Sequence, residues 1–240
     1  MTEKNFFEDE RFQRLKILIG EEKFFKLSSS TVAIFGIGGV GSFTAEALAR
    51  SGIGHLILID KDNIDTTNIN RQIHALTSSV GKSKVEVMRE RILEINPAAK
   101  VDTIQKFYLP GENAADFFIC DYDYVVDAID TITAKINLVI ECSRRKINLI
   151  SSMGAGNKLN PAQFKVADIF QTSVDPVAKV MRKKLKELGI KNLKVVYSEE
   201  VPKKLSQEKI IGSTAFVPSV VGLIIASEVV KDLIYGSETK

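Results

Sequence analysis

The feature that most limits how this chain can fold is a glycine turn set between two apolar runs. Residues 32–35 are apolar and lead into Gly36-Ile37-Gly38-Gly39-Val40-Gly41. A helical pattern follows at once, and a second apolar run, 56–59, stops at Asp60. The order is strand, turn, helix, strand, acid. A βαβ unit that cradles a nucleotide phosphate has this order. The glycines divide the work. Gly36 permits the tight turn, Gly38 lets backbone N–H groups approach a phosphate, and Gly41 lets helix and strand pack closely. The helix that follows turns its free N–H groups and positive end toward the phosphate. Asp60, at the end of the second strand, can accept hydrogen bonds from a ribose.

The rest of the chain must build on that unit. Its 240 residues suit one α/β domain with elaborations, and 45% hydrophobic content is enough for a substantial core. The expected fold is α/β: a Rossmann-like, doubly wound, mainly parallel sheet with N-terminal helices and a C-terminal α+β extension. Residues 1–157 would form the nucleotide-binding domain with a helical arm. Residues 158–240 would form a basic extension packed on it. Charge is uneven: residues 158–212 hold 12 Lys/Arg against 6 Asp/Glu, although the whole chain carries only +3. An anionic partner is therefore expected at the back third. Cys120 and Cys142 are the only cysteines, so no CxxC zinc site is available and a reducing cytoplasm is the expected setting. The N-terminus lacks the apolar core of a signal peptide. Residues 215–234 are apolar but interrupted by Glu228, Lys231 and Asp232, which favours a buried helix over a membrane span.

Downstream of Asp60, residues 60–76 read as a polar irregular loop carrying Asn68, Asn70 and Arg71. Amide donors and a planar guanidinium suit oxygen-rich anions, and a dinucleotide site has no need of all three. Residues 82–95 form an amphipathic helix with Lys82 and Lys84 in its first turn. Cations there oppose the helix dipole, so a nearby anion accounts for Lys84, while Lys82 reads as solvated. Further strands are expected at 101–104, 124–126, 148–151, 164–169 and 194–197, with helices at 114–120, 131–145, 177–188 and from 216 onward. Asp127 and Asp130 follow the fourth strand and so fall at the ligand edge of an open sheet. A carboxylate beside a triphosphate needs a bridging metal, which points Asp130 at Mg²⁺; its other reading is the N-cap of the next helix. The turn Ser152-Met153-Gly154-Ala155-Gly156 lies at the same edge. Two roles stand open for His74: accepting a proton, or packing beneath the loop.

The set GIGGVG, LIDKDNIDTTNINRQ, GKSK and DAIDT resembles the adenylating superfamily of MoeB, ThiF and the ubiquitin-activating enzymes, over about residues 11–156. The resemblance implies ATP and Mg²⁺ as cofactors and adenylation of a carboxylate as the chemistry. Gly36, Gly38, Gly39 and Gly41 would hold the nucleotide and Asp60 its ribose. Asn68, Arg71 and Lys84 would hold the phosphates, and Asp130 the magnesium. Arg14 resembles an arginine lent across a homodimer to the partner's ATP. NRQIHAL, SSMGAGNK and TAFVPSV, over nearly the whole chain, are similar to the tRNA threonylcarbamoyladenosine dehydratase family, which cyclises a threonylcarbamoyl side chain on tRNA. That resemblance implies tRNA as partner and brings in sulfur-relay proteins as candidate partners.

The cysteine pattern agrees independently. Members of the superfamily that pass an acyl group to a thiol need a cysteine after the ATP domain, and none occurs after Cys142. Adenylation followed by attack from within the substrate is the chemistry that remains. Lys183, Lys184, Lys203 and Lys204 are the candidates for tRNA phosphates. The rival reading is an adenylating enzyme for a ubiquitin-like sulfur-carrier protein, which would share the ATP site but not the basic surface.

Overall fold

The computed structural model describes residues 9–109, 114–203 and 211–236. Seven strands form one sheet: β1 (Thr31–Phe35), β2 (His55–Ile59), β3 (Lys100–Ile104), β4 (Tyr124–Asp127), β5 (Asn148–Ser152), β6 (Phe164–Asp168) and β7 (Lys194–Ser198). Their spatial order is β3-β2-β1-β4-β5-β7-β6. All neighbours run parallel except β6, which pairs antiparallel with β7. The order reverses between β1 and β4, where such sheets open a crevice for ligands.

Helices cover both faces, so the central strands are apolar throughout rather than alternating. The helices are α1 (Gln13–Ile19), α2 (Glu21–Ser29), α3 (Gly41–Arg50), α4 (Lys84–Ile95), α5 (Ile132–Arg145), α6 (Pro176–Glu187) and α7 (Phe216–Tyr235). Val32 and Ile34 of β1 point to one face, into a cluster with Leu48, Met88 and Val221. Ala33 and Phe35 point to the other, against Phe117 and Leu138. A third cluster joins Val195 and Tyr197 of β7 to Met181 and Leu185 of α6.

The C-terminal extension is part of the sheet: β7 adds to β5, and α7 packs along α3. Gly222 makes that approach close, for a Cβ there would lie 2.4 Å from the Val40 carbonyl oxygen. The charges that interrupt α7 have partners. Asp232 accepts from Tyr124 Oη (2.7 Å) and Lys194 Nζ (2.7 Å), and Lys194 also reaches Glu228 (3.4 Å). Among the described residues, no helix is long and apolar enough to cross a membrane.

Two expectations about elements need correction. The helix expected at 114–120 is only a 3-10 turn, Ala114–Phe117, because the Tyr122 hydroxyl takes the Phe117 carbonyl and accepts from Ile119 N. Asp130 is not the cap of α5: Thr131 occupies that position, and no side chain makes a cap hydrogen bond.

Candidate active site

The crevice is a cavity of about 490 Å³ at the carboxyl ends of β1, β2, β4 and β5. Its size suits a nucleotide-sized ligand. The glycine turn supplies one wall. Gly36 has φ +91°, and a Cβ there would sit 2.6 Å from the Ala128 carbonyl oxygen. A Cβ on Gly41 would lie 1.8 Å from the Gly36 carbonyl oxygen, so that glycine serves the turn's own packing. Gly39 accommodates Pro218 of α7, whose Cβ would be 3.1 Å away. Gly38 is different, because a Cβ there would meet only Gln72 Nε2 at 4.0 Å. Its bareness leaves space on the cavity side, where a phosphate could approach the backbone.

Asp60 ties this turn to β2. Its carboxylate accepts from Ile37 N (2.7 Å) and Asp62 N (2.9 Å), and lone pairs remain for a ribose. Asp65 caps a short 3-10 turn, Thr66–Asn68, and Asn68 Oδ1 accepts in return from Asp65 N at 3.1 Å. That capping box buries Asn68 and sets it in the cavity wall. Arg71 follows, with Nη1 held by the Thr67 carbonyl oxygen (2.7 Å) and Asn70 Oδ1 (2.8 Å). Lys84 opens α4, is 6% exposed, and donates to Asp62 Oδ2 at 2.9 Å. Its ammonium therefore sits buried against the cavity with one exposed carboxylate as its counter-charge.

Asn68, Arg71, Lys84 and Asp130 all line this cavity, as do Gly36, Gly38, Gly39 and Asp60. Asp130 is exposed and accepts only from Thr131 Oγ1, at 3.2 Å, among the described residues. Asp127 departs from expectation. It is fully buried, and its carboxylate is taken by Lys135 Nζ (3.1 Å), Ser151 Oγ (2.5 Å) and Ile129 N (3.1 Å). It holds the site from below rather than facing a ligand.

Of the two roles open to His74, the structure favours packing. The residue is 2% exposed, lies outside the cavity, and neither ring nitrogen has a hydrogen-bond partner among the described residues. Burial, with Lys84 and Arg91 nearby, pushes its pKa down to about 4. It packs under the loop, away from the cavity lining, which favours the structural role over the proton-accepting one. Arg14 lies on the exposed side of α1 and does not line this chain's cavity. Lys183 and Lys184 are exposed on α6, and Lys184 pairs with Glu187 at 3.1 Å. Lys203 is exposed in the loop that Asn157 binds, its N donating to the Asn157 carbonyl oxygen at 2.7 Å. Lys204 lies outside the described residues.

Sequence reasoning missed Lys135, a buried lysine in the cavity floor. The signal was present: Lys135 stands three and four residues before Leu138 and Val139, hence on the apolar face of its helix. It also missed Lys158, whose side chain is fully buried beside Asp175 at 2.6 Å.

Comparison with known proteins agrees with this geometry. The ThiF family model matches residues 12–239. A tRNA threonylcarbamoyladenosine dehydratase of Bacillus subtilis is 48% identical, with 96% of this chain and 97% of the relative covered. The crystal structure of the Escherichia coli tRNA N6-threonylcarbamoyladenosine dehydratase, TcdA, in complex with ATP superposes with a TM-score of 0.88 at 38% identity, covering 94% of each chain. The same enzyme in complex with AMP gives 0.89 over 96% of each chain. Cavity and comparisons together show that this chain belongs to the ThiF family, within its group of tRNA threonylcarbamoyladenosine dehydratases.

Proposed function

We propose that this chain uses ATP to dehydrate, and so cyclise, threonylcarbamoyladenosine in tRNA. The observation that carries the reading is the convergence of Asn68, Arg71, Lys84 and Asp130 on one cavity beside the glycine turn. Matching relatives named for that activity support it over nearly the whole chain.

The threonyl carboxylate attacks the α-phosphate of ATP in line, and pyrophosphate leaves with the electron pair of the broken P–O bond. Arg71 and Lys84 stabilise charge on the transferring and leaving groups, because preorganised cations in a water-poor cavity act most strongly where charge develops. A carbamoyl atom of the same side chain then attacks the acyl carbon, closes a five-membered ring and expels AMP. The tethered nucleophile has a high effective concentration, so ring closure needs no covalent enzyme intermediate. Cys142, 1% exposed within α5, with its thiol pKa pushed up by burial, is no candidate for one.

The residues fit Mg²⁺ of the kind held by one carboxylate and the phosphates. Asp130 has no cationic partner among the described residues, whereas Asp60, Asp62 and Asp127 are already engaged. Bound there, the ion would neutralise charge on the phosphate oxygens. Arg14 would act from the second subunit of a homodimer, which accounts for a cation placed outside its own chain's cavity. Lys183, Lys184 and Lys203 would meet tRNA phosphates.

The test is AMP and pyrophosphate release from ATP with tRNA carrying the open threonylcarbamoyl group. Release matched by appearance of the cyclic nucleoside supports the proposal. Release only with the C-terminus of a sulfur-carrier protein favours the rival reading.

A further inference from the structure

The cavity has a second wall that the nucleotide residues leave unexplained. β5 ends at Ser152, and the chain turns through Met153, Gly154, Ala155 and Gly156, all of which line the cavity. Three successive carbonyl oxygens in this turn are engaged by the protein. The Ser152 oxygen accepts from Lys135 Nζ at 2.8 Å, the Met153 oxygen from Ser152 Oγ at 3.2 Å, and the Gly154 oxygen from Lys158 Nζ at 2.6 Å. Two buried ammonium groups thus hold alternate carbonyls from behind. Each is neutralised by a carboxylate that is itself 0% exposed, Asp127 for Lys135 and Asp175 for Lys158.

The N–H groups are treated differently. Met153 N donates to the Val196 carbonyl oxygen (2.9 Å), Gly154 N to Asp175 Oδ1 (3.5 Å) and Asn157 N to the Gly212 carbonyl oxygen (2.8 Å). Between them, Ala155 N and Gly156 N have no acceptor among the described residues. The backbone around the turn is strained. Asn157 has φ 58° and Val174, just before Asp175, has φ 60°, a conformation costly for a β-branched residue. Fully buried ion pairs add little net stability, so a pair and a strained valine converging on one turn indicate that its shape matters. Two adjacent N–H groups without an acceptor, on a turn that lines the cavity, are available to an anion that enters it.

The anion is not the nucleotide's. Gly38, Asn68, Arg71 and Lys84, the groups that would touch phosphate directly, belong to the exits of β1 and β2 and the chain after them, with Asp130 at the exit of β4, whereas β5 lies two strands beyond β1, ~10 Å across the sheet. We propose that the turn is the seat of the carboxylate that becomes adenylated. The N–H groups of Ala155 and Gly156 bind its oxygens, and Lys135 and Lys158 are the positioning residues behind them. A seat of dipoles without net charge holds the carboxylate and continues to polarise the acyl oxygen after adenylation. This rests on the adenylation reading above, but not on which molecule carries the carboxylate.

The test removes one N–H at a time from the full chain, by Ala155→lactate or Gly156→glycolate, each of which turns a backbone amide into an ester. AMP formation with modified tRNA and ATP is measured beside ATP binding without tRNA. The expected result is a fall of about 10- to 100-fold in kcat/KM for tRNA, with the ATP Kd within about twofold of the unaltered protein. The double variant Lys158→Met/Asp175→Asn removes the buried charges together, leaving none orphaned, and is expected to show the same split. Unaltered kcat/KM in both esters overturns the seat, and lost ATP affinity in the esters would reassign the donors to the nucleotide and also overturn it. Unaltered kcat/KM in the double variant overturns the positioning role of Lys158. If the unaltered protein forms AMP only with a carrier-protein C-terminus, the tRNA reading fails, and the ester comparison made with that carboxylate still decides the seat.

Discussion

Lys84 carries the heaviest demand of any single residue: a nearly buried ammonium at the first position of a helix, opposed by the helix dipole and balanced by one half-exposed carboxylate, Asp62. Such a placement makes sense if the phosphates of a ligand complete its surroundings. Lys84→Ala is expected to lower ATP–pyrophosphate exchange by about 100-fold or more, measured with tRNA present; unchanged exchange would remove Lys84 from the phosphate site. His74 gives the opposite prediction. Its pKa is lowered to about 4 in the folded chain, so the unfolded state binds the extra proton first. Its neutral form therefore contributes stability in full above the ordinary histidine pKa, and that contribution is lost as pH falls toward 4. His74→Leu should flatten the fall in Tm between pH 7 and pH 5 and leave the adenylation rate unchanged, since its ring nitrogens have no partner among the described residues to lose. The residues that line the cavity were legible in the sequence because each is exceptional where it stands: glycines in a turn, Arg71 after two asparagines, Lys84 at a helix start. His74 and Asp127 were not, because burial and partner choice are decided by distant chain. Asp127 meets Ser151 only when β4 and β5 pair.

Elements were legible where period and punctuation agree. The run to Asp60 required a strand, and the helix before Pro97 required a stop. The turn after β3 was less so, since a short 3-10 turn and a helix share the same apolar start. How the C-terminal third joins the fold could not be read either. β7 inserts beside β5, a pairing across more than forty residues of chain, and takes β6 antiparallel on its other side. α7 is the element that ties this third of the chain to the glycine turn and α3, through Gly222 against Val40 and Thr44 Oγ1, which donates to the Gly222 carbonyl oxygen at 3.1 Å. Gly222→Ala would place a methyl 3.0 Å from Phe43 Cβ and the Thr44 nitrogen. It should cost about 1–3 kcal/mol in denaturant unfolding. A variant as stable as the parent would show that the two helices are free to separate there.

At the scale of the whole molecule, the site faces one way and two proposed partners must reach it. If Arg14 serves the second subunit, subunits carrying Arg14→Ala and subunits carrying Lys84→Ala, each inactive alone, should regain part of the activity when mixed, because one site in a mixed dimer then has both groups. No recovery on exchange would place Arg14 outside the reaction. If tRNA lies over Lys183 and Lys203, its binding should weaken with added salt, and Lys183→Glu with Lys203→Glu should lower that salt slope by about 2 without changing ATP affinity. The central claim is that this ATP site serves a carboxylate on tRNA. It is tested most directly by incubating the purified chain with ATP, Mg²⁺ and tRNA bearing threonylcarbamoyladenosine, then measuring AMP and the digested nucleosides together. One cyclic nucleoside formed per AMP, with loss of one water from the open form, is the result expected. Open nucleoside left intact, with AMP formed only when a carrier protein's C-terminus is supplied, would contradict it.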